Sequence, residues 1–259
     1  MTWLVFPWFA IPTLALWLLG AFLAARGRHT LAAVPSIAAV ILLGAFIAGL
    51  WHSLGRPPMR TMGETRMLYA FFLAVMGLAA SARWRYPWLL AIANLLACVF
   101  LTIVLARPDT HTITLMPALQ SPWFVPHVTV YILSYAILGV GTLAALRQLW
   151  ELSRGHDDWR YMPFVDNIVA VGLGFLLLGM LSGAAWAKEA WGHYWSWDPK
   201  ETWAFVTACG YVAFLHLRLR VRRGRPLLLL LVFAFLMLMV AWLGVSYIPA
   251  AKGSVHVYS

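Results

Sequence analysis

An all-α fold, a polytopic membrane bundle of about eight transmembrane helices with both termini on the extracytoplasmic side, is predicted by three observations. The first is composition: of 259 residues, 63% are apolar and only 11% charged, which places the chain among integral membrane proteins. The second is run length. A spanning helix needs about 20 apolar residues, and eight such runs occur, at 3–25, 31–51, 67–82, 86–106, 127–150, 165–186, 202–221 and 226–248. The third is charge placement. With an external N-terminus, twelve basic residues fall in inner loops and seven in outer segments, and the densest cluster, Arg218 to Arg225, is inner. That is the positive-inside bias, so the net charge of +10 signals topology rather than a nucleic-acid surface. With no repeat and no stretch long enough for a soluble domain, residues 1–259 read as a single membrane domain with an external tryptophan-rich segment at 187–201.

Each element follows in order. Thr2 to Ala25 lacks a basic head and a small-residue cleavage site, and so reads as a retained span. A short inner turn, Arg26 to His29, leads to the second span. The outer loop His52 to Arg66 then carries Pro57-Pro58 and a lone acid, Glu64; His52 sits at a helix end, where a solvated imidazole is ordinary. The third span is the shortest, and Arg83 to Arg85 turn the chain into the fourth. In the next outer loop His111 reads as solvated. Pro126 suits the first position of the fifth helix, because it has no N–H to satisfy, and this puts His127 in the first outer turn. The inner loop 151–163 mixes acids and bases and reads as a wet connection. Cys98 and Cys209 fall mid-span without metal-type spacing and read as packing residues.

The chain is organised around Trp191-Gly192-His193-Tyr194-Trp195-Ser196-Trp197-Asp198-Pro199-Lys200-Glu201-Thr202-Trp203. Any one tryptophan here suits the membrane–water boundary, since an indole is apolar with one polar N–H. Their density suggests more. Trp191 and Trp195 are four apart, and on a helical turn they share a face, forming a flat shelf for a large planar ligand. Asp198, Pro199 and Glu201 read as N-cap, first residue and capping-box acid of the seventh helix.

Histidines complete the pattern. His127 and His256, in the C-terminal tail, face the same side as the shelf, and two imidazoles flanking an aromatic platform suit a six-coordinate haem. No Cys-x-x-Cys-His occurs, so the chain has no covalent attachment site of its own. His216 lies about 22 Å down the seventh span from Glu201, at about 1.5 Å per residue, too deep to share the same iron. An ionisable residue inside a span is a functional candidate, so His216 marks a second, inner haem or a structural hydrogen bond.

The run Trp191-Gly192-His193-Tyr194-Trp195-Ser196-Trp197-Asp198 resembles the WGxxWxWD signature of the haem-handling proteins of cytochrome c maturation. The continuation Pro199-Lys200-Glu201-Thr202-Trp203-Ala204 is similar to the CcsA (ResC) branch rather than the CcmC branch. The resemblance extends to Ser121-Pro122-Trp123 through His127, and to the tail Gly253-Ser254-Val255-His256-Val257-Tyr258, where the family usually has Leu-His-Ser-Tyr. It implies haem b carried across a bacterial plasma membrane, or the thylakoid equivalent, and held facing outside. His127 and His256 would be the axial ligands of the external haem and His216 a ligand of an inner one. Trp123, Trp191, Gly192, Tyr194, Trp195, Trp197 and Asp198 would belong to the haem platform. The implied partners are apocytochrome c bearing Cys-x-x-Cys-His, a CcsB-like membrane protein that supplies the other inner histidine, and thiol-reducing proteins. Synthase activity is expected only together with the CcsB-like protein, and the chain supplies position and protection of the iron rather than a catalytic nucleophile. Two rival readings stay open, a dihaem membrane electron carrier and a haem exporter that serves a separate chaperone. The blandest is a structural subunit with interfacial tryptophans.

Overall fold

The computed structural model describes residues 1–111, 121–221 and 223–245. His256 and the rest of the tail lie outside the described residues. Among the described residues, eight helices are long and apolar enough to cross a membrane, so the chain is an integral membrane protein built as a helix bundle. The described residues form two compact units, one up to residue 111 and the other from residue 121.

In the first unit a 3-10 turn, Trp3–Val5, leads into α1 (Phe6–Ala25). It is followed by α2 (His29–Leu54), α3 (Met62–Trp84), α4 (Pro87–Ala106) and a second 3-10 turn, Pro108–His111. Phe6, Trp17, Leu43, Phe46, Met67 and Leu101 fill its core. A polar node ties three helices. The amide of Asn94 on α4 donates to Ser36 Oγ on α2 at 2.7 Å, and both press on Gly20 of α1.

Two expectations change here. The third helix is not the short 67–82 of the hydropathy reading but runs Met62–Trp84. Thr61 accepts from the Glu64 amide at 3.0 Å, and Glu64 returns the bond to the Thr61 amide at 3.1 Å, so a capping box starts the helix before its apolar stretch begins. Glu64, the lone acid of that loop, is ion-paired. It is 1% exposed and takes both guanidinium N–H groups of Arg56 at 3.0 Å. His111 is likewise not simply solvated. It stacks on Trp3 with ring centroids 3.9 Å apart and donates from Nε2 to the Val104 carbonyl at 2.9 Å.

The second unit comprises α5 (Phe124–Ser153), α6 (Met162–Trp191), α7 (Pro199–Arg220) and α8 (Arg225–Met239), which continues as a π-turn, Val240–Gly244. The starts of α5 and α7 and the end of α6 lie together at what we call the tryptophan end. The opposite, arginine end is tied by side chains. Arg218 grips Asp166 through two N–H groups at 2.6 and 2.5 Å, joining α7 to α6, and Arg225 donates to the Leu152 carbonyl at 2.9 Å. The loop after α5 is less wet than its sequence suggests. Glu151, 4% exposed, receives Arg147, His156 and Arg160 at 2.6, 3.0 and 3.6 Å.

Candidate haem-binding site

At the tryptophan end, α5 starts two residues earlier than expected. Phe124 is the first helical residue, which leaves Pro126 in third place. This costs nothing, because the first helical N–H groups have no intrahelical partner in any case. The segment entering the helix is held by Ser121. Its hydroxyl donates to the Glu189 carboxylate in the last turn of α6 and accepts from the Trp123 amide at 3.1 Å. One end of α5 is thereby tied to the end of α6.

His127 sits in the first turn of α5. Its Nδ1 lies 2.8 Å from the Gly179 carbonyl oxygen on α6. A carbonyl only accepts, so Nδ1 carries the proton and the lone pair belongs to Nε2. That is the tautomer in which imidazole binds a metal through Nε2, with its other nitrogen held by a backbone oxygen. The ring stacks on Trp186 at 5.5 Å and 21° and meets the edge of Tyr131 at 4.6 Å. Trp186 is 3% exposed and also packs against Phe124 and Trp191.

The shared helical face expected for Trp191 and Trp195 does not exist, because α6 stops at Trp191. Gly192 adopts φ +86°, the left-handed conformation that closes helices, and Lys188 caps its carbonyl at 2.7 Å. Trp191 therefore joins the group around His127. Trp195 instead forms a second aromatic group with Trp197 and, through it, Phe205 of α7, each pair edge-on at 5.8 Å.

The capping expectation for Asp198 and Glu201 is met. One oxygen of Glu201 accepts the Ser196 amide at 2.8 Å, the Ser196 hydroxyl at 3.3 Å and the Asp198 amide at 3.1 Å. This triple bond set holds Trp197 at φ +59°, a conformation unfavourable for a residue with a bulky side chain. Strain of that kind persists only where surrounding bonds over-determine it. Its effect is display, for Trp197 is 63% and Tyr194 61% exposed, with Trp123 at 45%.

The structure thus brings His127 together with Trp186 and Trp191, and sets Tyr194, Trp195, Trp197 and Asp198 in the loop that follows. It does not bring His216 to them. His216 lies near the arginine end of α7, exposed, two residues before Arg218. It is about 25 Å from the start of that helix at 1.5 Å per residue. Sequence reasoning missed Tyr131, Trp186, Glu189 and the glycines at 179 and 183. The last two were legible as a Gly-x-x-x-Gly spacing, the pattern that lets membrane helices approach closely.

A cytochrome C assembly protein family model matches residues 4–250. The chain belongs to that family. Among cytochrome c assembly proteins it resembles the CcsA type. It is 36% identical over 193 residues to the cytochrome c biogenesis protein CcsA of Chlamydomonas reinhardtii, covering 69% of this chain and 54% of the relative. Against the CcsA of Synechococcus sp. (strain RCC307) it is 34% identical over 218 residues, covering 70% of each. The chain therefore spans about half the length of the algal relative and more of the cyanobacterial one. A solved structure of the cytochrome c haem lyase CcmF superposes with TM-score 0.66 at 21% identity, over 96% of this chain and 49% of that one. This shows a common fold.

Proposed function

We propose that this cytochrome c assembly protein holds haem b on the outer side of a plasma or thylakoid membrane for attachment to apocytochrome c. The axial ligands would be His127 and His256, and the platform Trp123, Trp191, Gly192, Tyr194, Trp195, Trp197 and Asp198. The observation that carries this reading is the Nδ1–H bond from His127 to Gly179, because it orients an iron-binding nitrogen within an aromatic wall. Porphyrin faces need such apolar contact, and axial imidazoles set the properties of the iron. The relatives at 34–36% identity, cytochrome c biogenesis proteins of the CcsA type, agree with it.

The reaction served is addition of each Cys-x-x-Cys-His thiol across a haem vinyl group. The S–H bond and the vinyl π bond break while a C–S and a C–H bond form, with no net oxidation. The chain's part would be to bind and orient the ring, His127 and His256 holding the iron and so limiting its reaction with oxygen. The division between cofactor chemistry and protein positioning is the usual one. Ligand exchange with the substrate's own histidine would hand the haem over.

His216 would serve a second, inner haem. Its exposure on α7, the least buried of the candidate spans, suits a site completed by a histidine from a CcsB-like partner. Synthase activity is accordingly assigned to the pair. A dihaem electron carrier would instead face paired histidines across neighbouring helices, and the exposed position of His216 favours the partner-completed site.

The test is the absorption spectrum of the purified protein beside His127→Ala, His256→Ala and His216→Ala. A low-spin haem signal lost in the first two and regained with added imidazole is the expected result. A His127→Ala, His256→Ala double variant that matured cytochrome c normally without imidazole would refute it. For His216→Ala, loss of one haem equivalent with an unchanged melting temperature is expected.

A further inference from the structure

Charge in the first unit is segregated between its two ends. Its acids, Glu64 and Asp109, stand at the start of α3 and just past the end of α4, and are taken by Arg56 and Arg107. The opposite end, where α1 and α3 finish and α2 and α4 begin, carries no acid. Ala24, Ala32, Leu78 and Leu90 bring those four helices together there, and Arg26, Arg28, Arg83 and Arg85 are exposed around them. Among the described residues none of these four arginines has a carboxylate partner. In the second unit, by contrast, Arg147 and Arg160 share Glu151, and Arg218 holds Asp166.

Two of the unpaired arginines border a cavity. Phe22, Leu23, Arg26 and Arg28 line a recess of about 360 Å³ in the turn between α1 and α2. The backbone closes α1 by itself. Gly27, at φ +73°, donates to the Ala24 carbonyl at 3.0 Å, and the Arg28 amide donates to the Leu23 carbonyl at 3.0 Å, the paired bonds of a glycine-terminated helix. Neither guanidinium is therefore spent on capping, and that of Arg26 lies over the Phe22 ring, 5.1 Å from its centroid. From the recess an exposed apolar track, Phe22, Leu18 and Ile11, runs along one face of α1. Its 11 residues at about 1.5 Å each make about 17 Å, close to the depth of one leaflet's hydrocarbon, about 15 Å.

We propose that this recess seats the phosphate of an anionic membrane phospholipid, held by Arg26 and Arg28, with an acyl chain along Phe22, Leu18 and Ile11. The guanidinium fork matches phosphate oxygens, and basic clusters at the ends of spanning helices attract anionic headgroups. The positive-inside bias accounts for the number of arginines but not for the recess or the track. A free anion would use the two cations and leave the track unused, whereas a lipid uses both. Arg83 and Arg85 strengthen the field at this end without lining the recess.

The full chain, purified in detergent, is titrated with dioleoyl phosphatidylglycerol or dioleoyl phosphatidylcholine, and native mass spectrometry counts the lipids bound. The first phosphatidylglycerol is expected to bind about tenfold tighter than phosphatidylcholine, or better. Arg26→Gln with Arg28→Gln should weaken it about 30-fold, about fivefold for each arginine. Arg83→Gln with Arg85→Gln should weaken it about fivefold or less, because these two act only through the field. Arg107→Gln, the same change of charge at the other end, should match the parent.

No preference for phosphatidylglycerol in the parent, or unchanged binding by the Arg26, Arg28 pair variant, overturns the proposal. Equal losses from the two arginine pairs also overturn it, since they describe diffuse charge with no seat. Displacement of the lipid by millimolar inorganic phosphate at matched ionic strength assigns the recess to a free anion and refutes the lipid. Should the pair variant melt below the parent in phosphatidylcholine, Arg28→Gln alone decides, with a loss of about fivefold expected and parental binding as the refutation.

Discussion

Replacing Glu201 by alanine tests how the exposed tryptophan loop is held. The carboxylate oxygen accepts three donors, at 2.8, 3.1 and 3.3 Å. A hydrogen bond to a charged acceptor contributes about 1.5–3 kcal/mol when well formed. Glu201 is only half-buried, and one of its three bonds is long, so about 2–3 kcal/mol in total is reasonable at the low end of that range. Against this stands the left-handed conformation of Trp197, which costs about 1–2 kcal/mol for a residue with a Cβ. The clamp exceeds the strain by a small margin, so its removal should release Trp197 into an ordinary conformation. A loss of about 2 kcal/mol corresponds to about 30-fold in the opening equilibrium.

Amide hydrogen exchange at Ser196 and Asp198 should accelerate by that factor in Glu201→Ala, and by less in Glu201→Gln, which keeps an accepting oxygen. The far ends of α6 and α7 should be unaffected. The double variant Glu201→Ala, Trp197→Gly should exchange no faster than Glu201→Ala alone, because glycine carries no strain to release. Unchanged protection of Ser196 and Asp198 in Glu201→Ala would refute the idea that one carboxylate holds the loop.

Three other outcomes are expected. Burial holds the His111 imidazole below its ordinary pKa, while the Val104 carbonyl, Asp109 and Glu64 act the other way. The neutral ring is the folded form, so its stabilisation is complete above the free value of about 6.5 and is lost as pH falls through the lower folded value. Trp3 fluorescence should report that loss, and His111→Ala should abolish its pH dependence. Glu64→Ala leaves the largely buried Arg56 without its carboxylate partner and with only the Pro57 carbonyl as acceptor, and should cost about 3 kcal/mol in thermal or denaturant unfolding; a change under 1 kcal/mol would contradict the burial. Gly20→Ala puts a Cβ 2.3 Å from Ser36 Oγ and 2.8 Å from Asn94 Nδ2, and should destabilise by about 1–3 kcal/mol, whereas Gly174→Ala should be neutral.

Hydropathy and charge alone determined the eight helices, because a bilayer core demands long apolar runs and backbone bonds closed within each helix. The start of α7 was equally legible, since capping depends on residues three apart in the chain. The start of α3 was not read that way. Thr61 and Glu64 carry the same capping spacing, but the apolar count that set that boundary begins later. Local sequence also marked the tryptophan segment as a platform and His127 as a ligand candidate.

Only tertiary structure decided how these parts are held. Whether Trp191 and Trp195 share a face depends on where α6 stops, and the backbone conformation at Gly192 settles it. The protonated nitrogen of His127 is chosen by a carbonyl 52 residues away. The exposure of Trp197 depends on a clamp from the next helix, and the burial of Glu64 on an arginine across a loop. Periodicity reports which way a side chain leaves its own helix, whereas the groups it meets there come from a neighbouring helix whose rotation and depth the chain's local pattern does not encode.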